Sequence, residues 1–257
     1  MSRRSSASAG WRITWAIVTF LVVEILVCGV AALPSVAAAR ALSEATDGRP
    51  MLQVAALALA LLPAYTAFAL MLAVVTPLAI QVTGWRTPAD AAMRIAEVGW
   101  PVLRWVRYMA LLHVARVLAG NLLKGTPIWS AHLRLCGARV GRRVYVNSLS
   151  VSDYNLLTFD DDVVIGAGVH LAGHTVEDGL VKTGRVQLGQ GVTVGLDSIV
   201  EIDVVIGSGC QVGAMSFVPK HTRLLEPGTY VGVPVTRLAS RLECADKGDV
   251  PGGRSIG

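Results

Sequence analysis

The run from Leu188 to Tyr230, LGQGVTVGLDSIVEIDVVIGSGCQVGAMSFVPKHTRLLEPGTY, repeats every six residues. Its sixth positions are Leu188, Val194, Val200, Ile206, Val212, Val218, Leu224 and Tyr230, an unbroken apolar column, and glycine follows at Gly189, Gly195, Gly207 and Gly213. Four residues after each column position stands a small or β-branched side chain: Val192, Ser198, Val204, Cys210, Ser216 and Thr222. A period of six fits neither the 3.6 of a helix nor the 2.0 of an ordinary strand, so it marks an internal repeat and a solenoid. Short flat strands joined by tight turns, three to a triangular coil, satisfy it. The column then points inward where coils stack about 4.8 Å apart.

Upstream the register starts softly at Val140-Gly141 and Val146, slips by one residue around Ser152 to Leu157, and resumes at Phe159, Ile165-Gly166 and Leu171. Between Leu171 and Leu188 the residues Gly173 to Gly184 replace the repeat and carry His174, Glu177, Asp178 and Lys182. Charge has displaced core pattern there, the expected mark of a functional excursion. After a Gly232, Pro234 exit, residues 239–257 read as a flexible polar tail.

The remainder of the chain is of another kind. Of 257 residues 53% are hydrophobic, and the mean hydropathy of +0.54 is too high for a soluble domain alone. Residues 1–10 form a short basic stretch expected to be disordered, and 11–82 a two-helix transmembrane region. The first span is Trp11 to Leu33, carrying Glu24, and the second is Met51 to Val82, carrying Pro63 and Pro77; each is long enough for a hydrocarbon core of about 30 Å. Arg3 and Arg4 before an apolar run raise the alternative of a signal peptide, but the run is too long for a usual h-region. Glu24 is expected to face another helix or subunit.

Residues 83–130 read as an interfacial amphipathic helix and linker, in which Trp85, Trp100, Trp105 and Tyr108 interleave with arginines, and Thr87, Pro88 and Asp90 look like a helix start. The arginine excess beside the apolar segments places both termini in the cytoplasm. The formal charge of +5 is therefore assigned to a membrane surface and not to nucleic acid. Cys28, Cys136, Cys210 and Cys244 show no paired spacing and read as small buried hydrophobes.

Column, glycine and small-residue positions together resemble the hexapeptide-repeat acyltransferases. That resemblance covers about Leu135 to Leu238, within a domain at 131–238, and implies a left-handed parallel β-helix, assembled as a homotrimer with a pantetheine thioester arm between subunits. A second resemblance rests on Leu133 to Gly141, on Asp153 to Thr158, and on His174, Glu177, Asp178, Gly179 and Lys182. These look like the membrane-bound C-terminal modules of poly-lysine synthetase-like adenylating peptide synthetases. The chain carries neither adenylation nor carrier region, so it reads as a stand-alone acyl-transfer module or half of a split system with an adenylation or carrier partner.

Acyl transfer needs a base for the acceptor's proton and donors for the developing oxyanion. His174 is the candidate general base by its loop context and by its match to the family's catalytic histidine. Asp153 and Glu177 are candidates to orient it. Asn147, Asp178, Lys182 and Lys220 are candidates for substrate or cofactor contact. The donor is expected to be a thioester, on coenzyme A or on a carrier's phosphopantetheine, with no metal. Thr193 and Val233 stand where many acetyl-CoA enzymes of this fold carry an aromatic residue and an asparagine, which keeps a carrier-bound acyl group open beside coenzyme A.

Two further readings compete. One is a zinc carbonic anhydrase using His170, His174 and His221, whose spacing departs from that family's. The other is a non-enzymatic membrane scaffold, which has no need of a charged loop. The expected location is a bacterial cytoplasmic membrane, multi-pass, with the β-helix on the cytoplasmic side.

Overall fold

The computed structural model describes residues 2–238; the expected tail at 239–257 lies outside them. Two long helices open the chain, α1 (Ser2–Ala45) and α2 (Pro50–Thr83), and both are long and apolar enough to cross a membrane. The stretch expected to be disordered before Trp11 continues α1 from Ser2, since extending an existing helix needs no new nucleus. At the other end α1 passes Pro34 and carries the Arg40–Glu44 pair, so the link to α2 is only residues 46–49.

The helices pack antiparallel, with the Ser35 hydroxyl donating to the Ala64 carbonyl at 2.7 Å. Pro50 opens α2, and Gly84, at φ 66°, closes it by donating its N–H to the Ile80 carbonyl. Large apolar side chains such as Ile25 and Leu59 point away from the protein.

Pro77 has no N–H, so the carbonyl of Ala73 one turn back in α2 loses its intrahelical donor. His132 replaces it, with Nδ1 2.9 Å from the Ala73 oxygen. His132 comes from a later short helix, Pro127–Leu135, capped by Thr126, which closes the near end of the β domain.

Before it lies α3 (Trp100–Ala115), which continues through a π turn at Arg116–Gly120 into the single turn α4 (Asn121–Leu123); the Pro127–Leu135 helix is α5. A helix was expected to begin at Thr87, but α3 begins after Gly99. Residues 84–99 instead run irregularly, through turns, the strand Ala92–Arg94 and a 3-10 turn at Ile95–Glu97. Nor does α3 simply lie on a surface, for its Tyr108, Leu111, Leu112 and Ala115 are buried against the rest of the protein.

From Arg139 onward the chain winds into a three-sided prism. One face stacks Arg139–Val140, Leu157–Phe159, Val186–Leu188, Val204–Ile206 and Arg223–Leu224, all parallel. The second stacks Tyr145–Val146, Val164–Ile165, Thr193–Val194, Cys210–Val212 and Gly228–Val231, closed by antiparallel Thr236–Arg237. The third stacks His170–Leu171, Ile199–Val200 and Phe217–Val218, with a bridge from Val151 to Leu171.

The repeat column explains this stacking. Leu188, Ile206 and Leu224 are in register on one face, Val194, Val212 and Tyr230 on the next, and Val200 with Val218 on the third, and all eight are buried. A glycine follows the column because coils nearly touch there: a Cβ on Gly195 would lie 2.5 Å from the Ala214 nitrogen.

Two coils depart from eighteen residues. The first pairs Val140 with Phe159, a coil of nineteen whose extra residue is taken up by a 3-10 turn at Tyr154–Leu156. The second pairs Phe159 with Leu188 and Leu171 with Val200, a coil of twenty-nine. The surplus is a β-hairpin, His174–Glu177 and Leu180–Thr183, and Ala92–Arg94 adds a third antiparallel strand to it.

Candidate active site

The nineteen-residue coil and the hairpin meet at one edge of the prism. Asp153 sits at the corner of the former, in left-handed backbone (φ 52°) just before the 3-10 turn, and is fully buried. His174 is the first residue of the hairpin, directly after Gly173. A side chain at position 173 would collide with Asp153, its Cβ only 2.5 Å from that of the aspartate. With glycine there, His174 Nδ1 comes within 2.5 Å of Asp153 Oδ2.

Asp153 Oδ1 faces the other way, into the helical part of the chain. It accepts from the Thr87 hydroxyl at 2.6 Å and from Trp105 Nε1 at 3.2 Å. Thr87 is itself fixed by Asn155, whose side-chain amide donates to the Thr87 carbonyl at 2.8 Å and accepts from its N–H at 3.2 Å. The Trp105 ring also meets the His174 ring edge to face, centroids 5.0 Å apart.

A buried carboxylate is costly without partners. Burial pushes the Asp153 carboxyl up, but the hydrogen bond and charge of His174, then bonds from Thr87 and Ser152, outweigh it and hold the group below its usual value. An ionised Asp153 accepts from Nδ1–H, which fixes the tautomer and leaves Nε2 of His174 with its lone pair, on a side chain that is partly open to solvent. This is an imidazole held in orientation by a buried carboxylate. It can take a proton from a nucleophile positioned near Nε2.

The remaining sequence candidates fall elsewhere. Glu177 lies three residues along the hairpin strand, where its carboxylate holds Lys182 Nζ at 3.1 Å and also Lys220 Nζ, reaching across from a later coil. The carboxylate that orients His174 is therefore Asp153, and Glu177 instead joins two lysines.

Asp178 and Gly179, at φ 51° and 72°, form the two-residue turn of the hairpin. Asn147 lies on the second face, with its side-chain amide against Gly125, and is not drawn to the pair. His221 has its own partner, Asp203 Oδ2 at 2.8 Å. Among the described residues no three His, Cys, Asp or Glu side chains converge as a metal would need.

Beside the pair runs an open groove of about 450 Å³ between the end of α3, its π turn and the third face of the prism. Ser152 and His170 line its inner end. Burial lowers the pKa of His170, with Glu201 opposing and His174 and Arg116 adding to the effect.

Thr87, Trp105 and Asn155 were not singled out as site residues from sequence. Their contacts with Asp153 or with one another span 48 to 68 residues, and the pattern of residues 84–99 pointed to a helix.

No protein-family model matches the chain. Over 136 residues, 53% of its length, the chain is 26% identical to delta-poly-L-ornithine synthetase of Acinetobacter baumannii (strain AB307-0294), and it spans only 10% of that protein. Among solved structures it is similar to a hexapeptide-repeat acetyltransferase of Vibrio cholerae, at 19% identity and a TM-score of 0.37, over 41% of this chain and 63% of that one. A galactoside acetyltransferase in complex with coenzyme A is 18% identical, TM-score 0.38, over 60% and 88%. AntD, an N-acyltransferase from Bacillus cereus, is 25% identical, TM-score 0.32, over 43% and 79%.

Proposed function

We propose that this chain is a membrane-anchored acyltransferase that moves an acyl or aminoacyl group from a thioester to an amine or hydroxyl. His174 is its general base and Asp153 the residue that orients it. The observation that carries the reading is the 2.5 Å contact between Nδ1 and a fully buried aspartate, at the edge where the two irregular coils of the solenoid meet.

In the reaction the acceptor N–H or O–H attacks the thioester carbonyl while His174 Nε2 takes its proton. The tetrahedral intermediate then expels the thiolate with the C–S bond's electron pair, and the imidazolium returns the proton to sulfur. The products are an amide or ester and a free thiol, and Asp153 stays ionised throughout, stabilising the imidazolium.

The likeness to a poly-ornithine synthetase favours an amine acceptor and an aminoacyl donor, on a carrier's phosphopantetheine or on coenzyme A. The resemblance to the hexapeptide-repeat acyltransferases favours a left-handed β-helix and a homotrimer. The two apolar helices favour a bacterial cytoplasmic membrane, and the arginine excess beside them favours the inner side for the prism.

The test is transfer from a panel of aminoacyl and acyl thioesters to amine acceptors, followed by thiol release, with the full chain in nanodiscs. His174→Ala with unchanged folding is expected to lose transfer by about 10³-fold or more. Unchanged product formation by that variant would sink the reading in favour of a scaffold.

A further inference from the structure

The groove beside the Asp153–His174 pair has a charge and a direction that the proposed reaction does not yet use. Its basic residues are His113, Arg116 and His170, and none of its lining residues is acidic. The acid that bears on it is Glu201, which acts on His170. Arg116 is held in place by Nη1, which donates to the carbonyls of Leu149 and Val151 at 3.3 and 3.0 Å. Its Nε is buried and without a partner among the described residues. A guanidinium fixed in this way, with no acidic residue lining the groove to neutralise it, is a preformed seat for an oxyanion.

The groove also has two distinct ends. The inner end reaches Ser152, which is bonded to the Asp153 carboxyl, and His170, on which His174 acts electrostatically. The outer end is the π turn, where Val117 is 56% exposed. That turn leans on the middle of α2, since the Tyr65 hydroxyl donates to the Leu118 carbonyl at 3.0 Å. One turn back along α2, Leu61 and Leu62 are exposed on an apolar helix. A π turn breaks the regular helical ladder and commonly marks a functional site. Here it opens a path from the apolar surface of α2 to the edge of the site.

We propose that this groove seats a membrane-borne amphiphile with an anionic head, the acceptor of the transfer. Arg116 and His170 hold the head near the Asp153–His174 pair, and the apolar chain leaves past Val117 along α2. The proposal rests on the acyltransferase and membrane readings above. It deepens them by delivering the acceptor from the bilayer, so that only the thioester arrives from solution.

The experiment uses the full chain in nanodiscs doped with diazirine-bearing phosphatidylglycerol or phosphatidylcholine, with labelled peptides mapped after irradiation. The expected result is labelling on residues 113–121 and 149–152, about tenfold stronger with the anionic lipid, the effect of one good charge-assisted contact. Ser150→Trp, which fills the groove from an exposed position on the prism wall, removes that labelling, and Arg116→Gln narrows the preference between the lipids. Equal labelling by both lipids, or labelling that survives Ser150→Trp, overturns the proposal. Protection of the groove by millimolar inorganic phosphate without any lipid labelling also overturns it and assigns the groove to a soluble anion. His174→Ala separates the two readings: labelled but inactive supports both, whereas a labelled groove on a wild-type chain with no transfer activity retains the site and rejects the acyltransferase.

Discussion

Thr87→Val tests whether the site is assembled from two parts of the chain. Valine keeps the shape of threonine and removes only the hydroxyl, which donates at 2.6 Å to Asp153 Oδ1 while both residues are buried. A hydrogen bond to a charged group contributes about 1.5–3 kcal/mol. Among the described residues Trp105 Nε1, at 3.2 Å, remains as the other donor to that oxygen, too long to recover the whole. At about 2–4 °C per kcal/mol for a chain of this size, the midpoint of thermal unfolding should fall by about 3–12 °C.

Activity should fall as well, because a carboxylate free to turn no longer fixes the His174 ring. If about 1.4 kcal/mol of the loss reappears as misorientation, kcat drops about tenfold. The assay is thermal unfolding in detergent alongside thiol release in nanodiscs, with Thr87→Ser as the control that restores the donor. Wild-type stability and rate in Thr87→Val would refute the argument. So would a Thr87→Ser variant as damaged as the valine, because the effect would then not lie in the hydroxyl.

Asp153→Asn should lower transfer by about 10³–10⁴-fold through the wrong imidazole tautomer, with thioester binding retained, as kcat against KM would show. The Asp153 carboxyl is held below its usual 3.8, so its contribution to stability is present above that value and lost as pH falls through the lower folded value. Acid unfolding curves of Asp153→Asn and wild type should therefore differ at neutral pH and converge at the acid end. His132→Leu strands the Ala73 carbonyl at a cost of about 1–3 kcal/mol, and Pro77→Ala, by returning an N–H to α2, should recover most of it in a double-mutant cycle. Gly195→Ala forces a Cβ to 2.5 Å from backbone nitrogen and should destabilise by about 1–3 kcal/mol or more, read by chemical unfolding.

The prism was legible because a repeat of six states its own geometry: each column residue predicts its partners eighteen positions away, and Leu188, Ile206 and Leu224 stack as that demands. The slip near Ser152 and the break after Leu171 were visible for the same reason, as defects in a regular signal. What fills the break was also written there, in the Asp178-Gly179 pair that favours a two-residue hairpin turn. In that setting the charge of the segment drew attention from its backbone. Thr87 misled because Thr-Pro-x-Asp is a local signal for a helix start, while its hydroxyl is spent on Asp153, 66 residues on. No local pattern encodes such a contact.

The coil of twenty-nine residues exceeds the regular coil of eighteen by eleven, and the segment 174–184 is eleven residues long. Removing that segment would bring Arg185 next to Gly173 and leave every later strand in its present register. The solenoid therefore treats the hairpin as a cassette: its presence or absence is invisible to the stacking of the coils. A lineage built on this prism can gain, lose or exchange the cassette without renegotiating its fold, and the excised form offers an intact protein against which everything the hairpin brings can be measured.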